Sequence, residues 1–203
     1  MASFTDYGLD RRFTNYVHQN VAIPQVYDRI SWTQYDIDAD ELEYIDVHKG
    51  IDYLFKNAEG KVVSVQERFR ESMYAKYSDF TIRYRRDENS HQDRVRSEYY
   101  KIEADYFTYG ITNGNKSNFS SATDFIKVAI IDLKKVYEKI DNGLIVIRDN
   151  GRNVCRIIEE NGVRKIECPV KYNRDGSSSF FPIEIAYLIE LWGEEMVVYK
   201  KGF

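Results

Sequence analysis

The sequence predicts a mixed α/β protein in which helices flank a central mixed β-sheet, and three stretches lead to this prediction. Residues 4–18 carry apolar side chains at helical spacing, which indicates an amphipathic helix. Residues 51–69 contain two strand-like segments around a turn, and residues 125–140 run from an apolar strand into a short helix. Helices placed before and after strands are typical of an α/β arrangement.

The first helix is predicted from Leu9, Phe13 and Val17, which repeat on one face, with Thr5 or Asp6 as its cap. An acidic stretch, residues 36–43, follows, and we interpret it as a solvated loop or the start of a helix. Residues 44–48 alternate in character, which favours a strand.

The stretch around which the rest is organised is the predicted hairpin. Its strands are residues 51–55 and 61–69, and residues 57–60 form the turn, where Gly60 can take a positive φ. Because side chains alternate across a strand, the second strand has two different faces. One face carries Val63, Val65 and Glu67, and the other carries Ser64, Gln66 and Arg68.

Further strands are predicted at residues 80–84, in the second half of 97–111, and at 125–132, before a helix at 133–140. Residues 144–148, 154–159 and 163–169 are predicted to form an antiparallel set. The dipeptides Asn150-Gly151 and Asn161-Gly162 would provide its turns.

The last predicted element is a helix. Residues 177–179 would cap it, Pro182 would lie in its first turn, and its apolar face would be buried. That face carries Ile185, Leu188, Ile189 and Trp192. With 203 residues, the chain suits a single domain. We divide it into a core, residues 1–140, and an elaboration of β-hairpins and the C-terminal helix, residues 141–203.

Composition indicates a soluble protein, with 43% hydrophobic and 31% charged residues. No stretch approaches the roughly 20 apolar residues that span a membrane, and the N-terminus does not resemble a signal peptide. We therefore expect a cytoplasmic protein with no membrane partner. Its two cysteines could pair, but we favour two buried free thiols.

Charge is distributed unevenly along the chain. The net charge is −4, which argues against a protein coated in basic surface, yet residues 61–101 carry 10 Lys and Arg against 7 Asp and Glu. Contacts with phosphate depend on where the charges lie, so this local excess gives modest support to nucleic-acid binding. Familiar motifs for other chemistries, such as a Gly-rich phosphate loop or an H-E-x-x-H zinc motif, do not occur in the sequence.

An acid on the first hairpin strand, Asp52, is followed 14 positions later by Gln66-Glu67-Arg68 on the second. This pattern resembles the metal-binding hairpin of the PD-(D/E)xK nuclease superfamily, in which an Asp precedes an acid-x-Lys. The resemblance covers about residues 4–140 and implies a restriction-endonuclease-like core, a Mg²⁺ cofactor and DNA as substrate. It implies that Asp52 and Gln66 hold the metal and that Arg68 contacts the scissile phosphate.

The chain departs from the superfamily pattern at two positions. Gln66 stands where an acid is usual, and Arg68 stands where Lys is usual. Shifting the register by one makes Glu67 the acid but places Phe69 at the cation position, so Glu67 is the alternative ligand. The resemblance also implies an upstream acid, for which Asp6, Asp10, Glu41 and Glu43 are the candidates.

Three functions follow from these observations. The first is a Mg²⁺-dependent DNA nuclease. Its contacts with the DNA phosphate backbone would be made by Arg70, Arg83, Arg85 and Arg86. The second is a domain of the same fold that binds nucleic acid or a protein partner without catalysis. The third is an interaction protein whose strands, rich in the chain's 17 Tyr, form a homodimer or partner face.

Overall fold

The computed structural model describes residues 7–86, 97–173 and 178–203, apart from the side chains of Tyr7, Arg85 and Arg86. In chain order its helices and strands are α1 (Tyr7–Val17), β1 (Thr33–Gln34), α2 (Ala39–Lys49), β2 (Tyr53–Lys56), β3 (Val62–Arg70), β4 (Asp79–Arg86), α3 (Glu98–Lys101), β5 (Tyr106–Thr112), β6 (Phe125–Asp132), α4 (Leu133–Asp141), β7 (Ile145–Arg148), β8 (Arg156–Glu160), β9 (Val163–Pro169), β10 (Lys171–Tyr172), β11 (Ser178–Glu184), α5 (Ile185–Trp192) and β12 (Val197–Lys201). The predicted mixed α/β class with a central mixed sheet flanked by helices is confirmed, and this sheet has six strands.

These elements group into two compact units, each assembled from separate stretches of the chain. The first unit contains residues 7–77, Glu103–Asp132 and Val197–Phe203, and the second contains residues 78–86, 97–102, 133–173 and 178–196. The expectation of a single domain with its core in residues 1–140 stays a prediction.

The sheet of the first unit has the strand order β1-β2-β3-β5-β6-β12. Its central pair, β3 and β5, is parallel, with Gln66 beside Phe107 and Arg68 beside Tyr109. The other neighbours are antiparallel. A parallel pair requires a long crossover connection. In this protein the connection includes β4 and α3, which belong to the second unit.

Helix α1 continues directly into a π-helical segment, His18–Tyr27, which contains Pro24. Proline has no N–H for the α-helical ladder. The chain here uses wider turns, and the segment ends with the amide of Asp28 donating to the carbonyl of Ile23. This segment is an anchor of the unit because most of its apolar side chains are buried against the sheet, together with His18.

The core of the first unit combines that helical face with the buried faces of β2, β3 and β6. Its aromatic rings pack closely, with the Tyr27 and Phe55 ring centroids 4.1 Å apart. Burial of each large apolar side chain contributes about 1.5–3 kcal/mol. The fully buried members include Phe13, Val17, Val21, Val26, Tyr27, Phe55, Val65, Val128 and Ile130.

The predicted strand at residues 44–48 was wrong, because these residues belong to α2. The Asp38 side chain caps that helix by accepting a hydrogen bond from the amide of Asp40 at 2.9 Å. Gly50 ends it in the left-handed conformation at φ 59° and donates to the carbonyls of Ile45 and Asp46. A cap at each end therefore decided the conformation, and the short alternating pattern did not.

The second unit contains two three-stranded sheets, ordered β10-β11-β4 and β7-β9-β8. The predicted hairpin at Asn161-Gly162 is confirmed between β8 and β9. Both turn residues have positive φ, 55° and 76°, as a type I′ turn requires. The turn predicted at Asn150-Gly151 does not form a hairpin, because β7 pairs with β9 in parallel and not with β8.

The predicted final helix begins later than expected. Residues 178–184 form β11, which pairs with β4, and α5 starts only at Ile185. Pro182 lies within β11, beyond the two residues that pair with β10. Within the described residues, β11 pairs at this position with β4 on one side only, and a proline, which lacks an N–H, is tolerated where one edge of a strand is unpaired.

Both cysteines are buried free thiols, as favoured from the sequence, with the sulfur atoms of Cys155 and Cys168 3.7 Å apart. Among the described residues, no helix is long and apolar enough to cross a membrane.

The cap of α2 gives a direct test of the helix assignment. We expect Asp38→Ala to lower the free energy of unfolding by about 1 kcal/mol, because the amide at Asp40 loses its acceptor. Asp36→Ala is the matched control, since Asp36 is an exposed acid outside the helix. Urea denaturation followed by far-UV circular dichroism measures both. Equal stability of the two variants would contradict the capping role.

Candidate functional site

The hairpin places Asp52 directly against the middle of β3. The amide of Asp52, the residue just before β2, donates to the carbonyl of Val65 at 2.9 Å. Its Oδ2 atom accepts a hydrogen bond of 2.6 Å from the amide of Glu67. Asp52 and the Gln66-Glu67-Arg68 segment are the two parts of the motif predicted from the sequence. The structure places them next to each other.

Strand β3 has the two faces that the sequence predicted. Val63, Val65, Glu67 and Phe69 are buried, whereas Gln66 and Arg68 on the other face are only half-buried. The Arg68 guanidinium lies 5.8 Å from the centre of the Phe107 ring on β5, within the range of a cation–π contact. Asp52, Gln66 and Arg68 are thus partly accessible to solvent.

Glu67 is a carboxylate on the buried face, and two side chains from other elements, His18 and Tyr27, form hydrogen bonds with it. Both of its oxygens lie within 3.0 Å of Nδ1 of His18. The Tyr27 hydroxyl donates to Oε1 at 2.6 Å. Because the Tyr27 proton is used there, the hydroxyl of Thr108, 2.8 Å away, donates to the Tyr27 oxygen. This chain of bonds links the π-helical segment to β3 and β5.

His18 is positioned as a charged imidazolium. Its Nδ1 faces the Glu67 carboxylate, and its Nε2 lies 3.2 Å from Oε1 of Gln34 on β1. Two acceptors require two donors, so both ring nitrogens carry protons. The ring of Tyr53 stacks on the imidazolium, with centroids 3.6 Å apart and planes within 4°. The side chains of His18 and Glu67 are fully buried.

The surroundings shift the pKa values of His18 and Tyr27. Burial alone would lower the pKa of His18, but the charge and hydrogen bonds of Glu67, with Gln34, outweigh it and raise this pKa above 6.5. Burial and the Glu67 charge raise the pKa of Tyr27 well above its ordinary value. Tyr27 therefore stays protonated and donates to Glu67 throughout the neutral range.

The motif supplies few metal donors. In the part of the chain that the structure describes, no group of three or more His, Cys, Asp or Glu residues could hold a metal ion. Asp52 offers one carboxylate and Gln66 one amide oxygen. Mg²⁺ accepts one or two carboxylates when waters and substrate phosphates complete its coordination. These two residues fit Mg²⁺ only in that form.

The upstream acids predicted to complete the site have other surroundings. Asp10 pairs with Lys116 at 2.7 Å. Glu41 and Glu43 are exposed residues of α2, and Asp6 lies outside the described residues. Asp105, beside the exposed face of β3, accepts hydrogen bonds from the amide and hydroxyl of Ser64, both at 2.8 Å.

The predicted DNA-binding arginines are divided between the two units. Arg70 ends β3 in the first unit, with its guanidinium 5.3 Å from the centre of the Tyr74 ring. Arg83 is an exposed residue of β4 in the second unit, and its amide donates to Glu98. The side chains of Arg85 and Arg86 are outside what the structure describes.

The sequence reasoning missed His18, Tyr27 and Thr108, which lie 49, 40 and 41 residues from Glu67 along the chain. One feature of the sequence indicated that Glu67 has buried partners. A charged residue in the apolar stripe of β3 must have a buried partner, because an unpaired charge is costly to remove from water.

No protein-family model, curated protein or solved structure matches this chain. The function of this chain is therefore inferred from its geometry and from the resemblance of its hairpin motif.

The buried pair predicts how stability depends on pH. The pKa of His18 is raised in the folded state, so the contribution of the pair is fully present below the unfolded value of 6.5 and is lost as the pH rises through the folded value. We expect the free energy of unfolding to fall as the pH rises above about 6.5, and to fall less in His18→Gln.

Urea denaturation at a series of pH values measures the effect. His48→Gln is the control because His48 is an exposed histidine of α2, and it should keep the wild-type pH profile. A wild-type profile in His18→Gln would contradict the role of the pair.

The two faces of β3 predict different costs of substitution. Glu67→Ala leaves a buried imidazolium without its carboxylate, and we expect a loss of about 3–5 kcal/mol in the free energy of unfolding. Gln66→Ala on the accessible face should cost less than about 1 kcal/mol. Urea denaturation at neutral pH compares them, and a Glu67→Ala variant as stable as wild type would show that Glu67 has no structural role.

Proposed function

We propose that this chain is a nuclease-like protein of the PD-(D/E)xK class that acts on DNA with Mg²⁺. The observation that supports the proposal is the 2.6 Å bond between Asp52 Oδ2 and the amide of Glu67. It holds the acid that precedes β2 against the Gln66–Arg68 segment of β3. The order of the motif along the chain and its position on an antiparallel hairpin beside a parallel strand agree with this class.

Glu67 is better assigned to structure than to metal binding. Its carboxylate is fully buried and accepts from His18 and Tyr27. Gln66 and Arg68 are half-buried on the opposite face of the strand, where a substrate has access. Between the two registers of the motif, the geometry therefore favours the one that uses Gln66 and Arg68.

Asp52 and Gln66 would hold the metal, and Arg68 would contact the phosphate. A bound Mg²⁺ would polarise the phosphate and make it more susceptible to attack by water. An arginine stays protonated at any physiological pH, so Arg68 cannot serve as a proton acceptor. Its planar guanidinium instead offers two parallel N–H donors to phosphate oxygens. The ring of Phe107 supports this cation from β5.

The variant that tests the proposal is Asp52→Asn. An amide oxygen can still accept the Glu67 hydrogen bond, so the hairpin should remain intact while the charge on the metal ligand is lost. We expect cleavage of plasmid and linear DNA in Mg²⁺ or Mn²⁺ to fall by about 100-fold or more, because one of the two proposed metal ligands is impaired.

Glu59→Gln, a charge change in the exposed turn of the same hairpin, is the matched control and should cleave at the wild-type rate. Thermal unfolding verifies that both variants are folded. Wild-type cleavage by Asp52→Asn would exclude Asp52 from the site and overturn the assignment.

A second candidate is a nucleic-acid-binding domain of the same fold without catalysis. It is favoured by the donor set, since the described residues offer the metal only one carboxylate together with the Gln66 amide. Wild-type protein that binds DNA but does not cut it in Mg²⁺ or Mn²⁺ would select this candidate. Failure to bind DNA at low salt would overturn both.

A further inference from the structure

A cluster of three arginines surrounds one buried carboxylate in the second unit, away from the hairpin motif in sequence. Arg148 ends β7, Arg156 begins β8, and Arg152 lies in the segment between them. Strand β9 runs between β7 and β8 and carries Glu167. Arg156 is the direct cross-strand partner of Glu167. On the opposite edge of β9, Glu167 pairs with Val146 of β7, and Arg148 lies two residues after Val146.

The Glu167 carboxylate contacts all three guanidinium groups. Its Oε2 atom accepts from Nη1 of Arg148 at 2.9 Å, and its Oε1 atom accepts from Nε of Arg156 at 3.0 Å. The Nε atom of Arg152 lies 3.5 Å from the same Oε1. Burial alone would raise the pKa of Glu167, but Arg156 and Arg148 outweigh it, so this carboxylate stays charged at neutral pH.

The positive charge of the cluster exceeds the negative charge. Besides Glu167, Arg148 pairs with Glu160 at 2.5 Å, and Glu160 also pairs with Lys165 at 3.3 Å. Two carboxylates thus face four cations. The surrounding stretch, residues 148–171, carries 6 Lys and Arg against 4 Asp and Glu, in a chain whose net charge is −4. The cluster is a local positive region on an acidic protein.

The three arginine side chains are accessible to solvent, whereas the Glu167 carboxylate that holds them in place is buried. The side chain of Glu167 is 2% exposed, whereas those of Arg148, Arg152 and Arg156 are 40%, 51% and 41% exposed. Arg152 and Arg156 contact Glu167 through Nε, so the terminal nitrogens that grip a phosphate are not used for that contact. Side chains already held in place lose less conformational entropy when they bind.

We infer that the arginine cluster of Arg148, Arg152 and Arg156 is a contact surface for the phosphate backbone of DNA. The choice of DNA as the partner rests on the proposed function. Arginine forks bind phosphate oxygens in pairs, and such contacts position a protein on DNA without reading its sequence. This surface is additional to the arginines predicted from the sequence, none of which belongs to the cluster.

Arg152 is the residue on which the test depends. It lies outside the strands, and Arg148 and Arg156 remain to neutralise Glu167 when it is replaced. We expect Arg152→Gln to weaken DNA binding equally for unrelated sequences and to lower the slope of log K against log salt by about 0.9, the value for one phosphate contact. Arg152→Glu should lower affinity further, because it adds repulsion.

Fluorescence anisotropy with a short labelled duplex, between about 50 and about 200 mM salt, measures the slope. Arg164→Gln is the matched control. Arg164 is an exposed arginine of the same sheet that pairs with Glu190, outside the cluster, and its replacement should leave the slope unchanged. Thermal unfolding verifies that each variant is folded, and Arg152→Gln alone carries the test if Arg152→Glu is unstable.

The outcomes separate this inference from the proposed function. An equal slope in wild type and Arg152→Gln would overturn the inference and leave the proposed function standing, whereas a wild type that does not bind DNA would overturn both. Calorimetry with inorganic pyrophosphate distinguishes a site for small phosphates. Pyrophosphate binding that is lost in Arg152→Gln, with DNA binding unchanged, would also overturn the inference.

Discussion

The first unit depends on the fully buried ion pair between His18 and Glu67. Two charges removed from water are costly unless each is matched and hydrogen-bonded. Here the carboxylate accepts from His18 and Tyr27, and the imidazolium also donates to Gln34. The cluster joins the π-helical segment, β1, β3 and β5, so the position of each of these elements is tied to a single carboxylate.

The consequence for the candidate site is positional. Glu67 lies between Gln66 and Arg68 in the chain, and its amide is the group that holds Asp52. The buried face of β3 therefore fixes the strand by its side chain, while the accessible face presents the residues with the chemistry. The Glu67 carboxylate lies in the apolar stripe of β3, and its hydrogen bonds to His18 and Tyr27 fix the position of the π-helical segment on the sheet.

The second unit also has a buried carboxylate with charged partners, but its partners are exposed to solvent. Glu167 is also a buried carboxylate on a central strand, but its partners are three accessible arginines. In the first unit the partners of the carboxylate are themselves buried, and the cluster is closed to solvent. In the second unit the partners extend to the surface, so the same type of charge pairing organises a positive surface that an anion can reach.

Much of the fold and part of the site were determined by the sequence alone, because they depend on neighbours along the chain. Period-two alternation and turn chemistry predict the hairpin with Gly60, the two faces of β3, the turn at Asn161-Gly162 and the proximity of Asp52 to Gln66 and Arg68.

Only the tertiary structure decided the rest. The parallel pairing of β7 with β9, the strand at Pro182 and the joining of His18 to Glu67 across 49 residues depend on contacts between distant segments. Local propensity carries no information about which distant partner a strand or a charge will find, and those contacts assign Glu67 to the core and leave Asp52, Gln66 and Arg68 partly accessible.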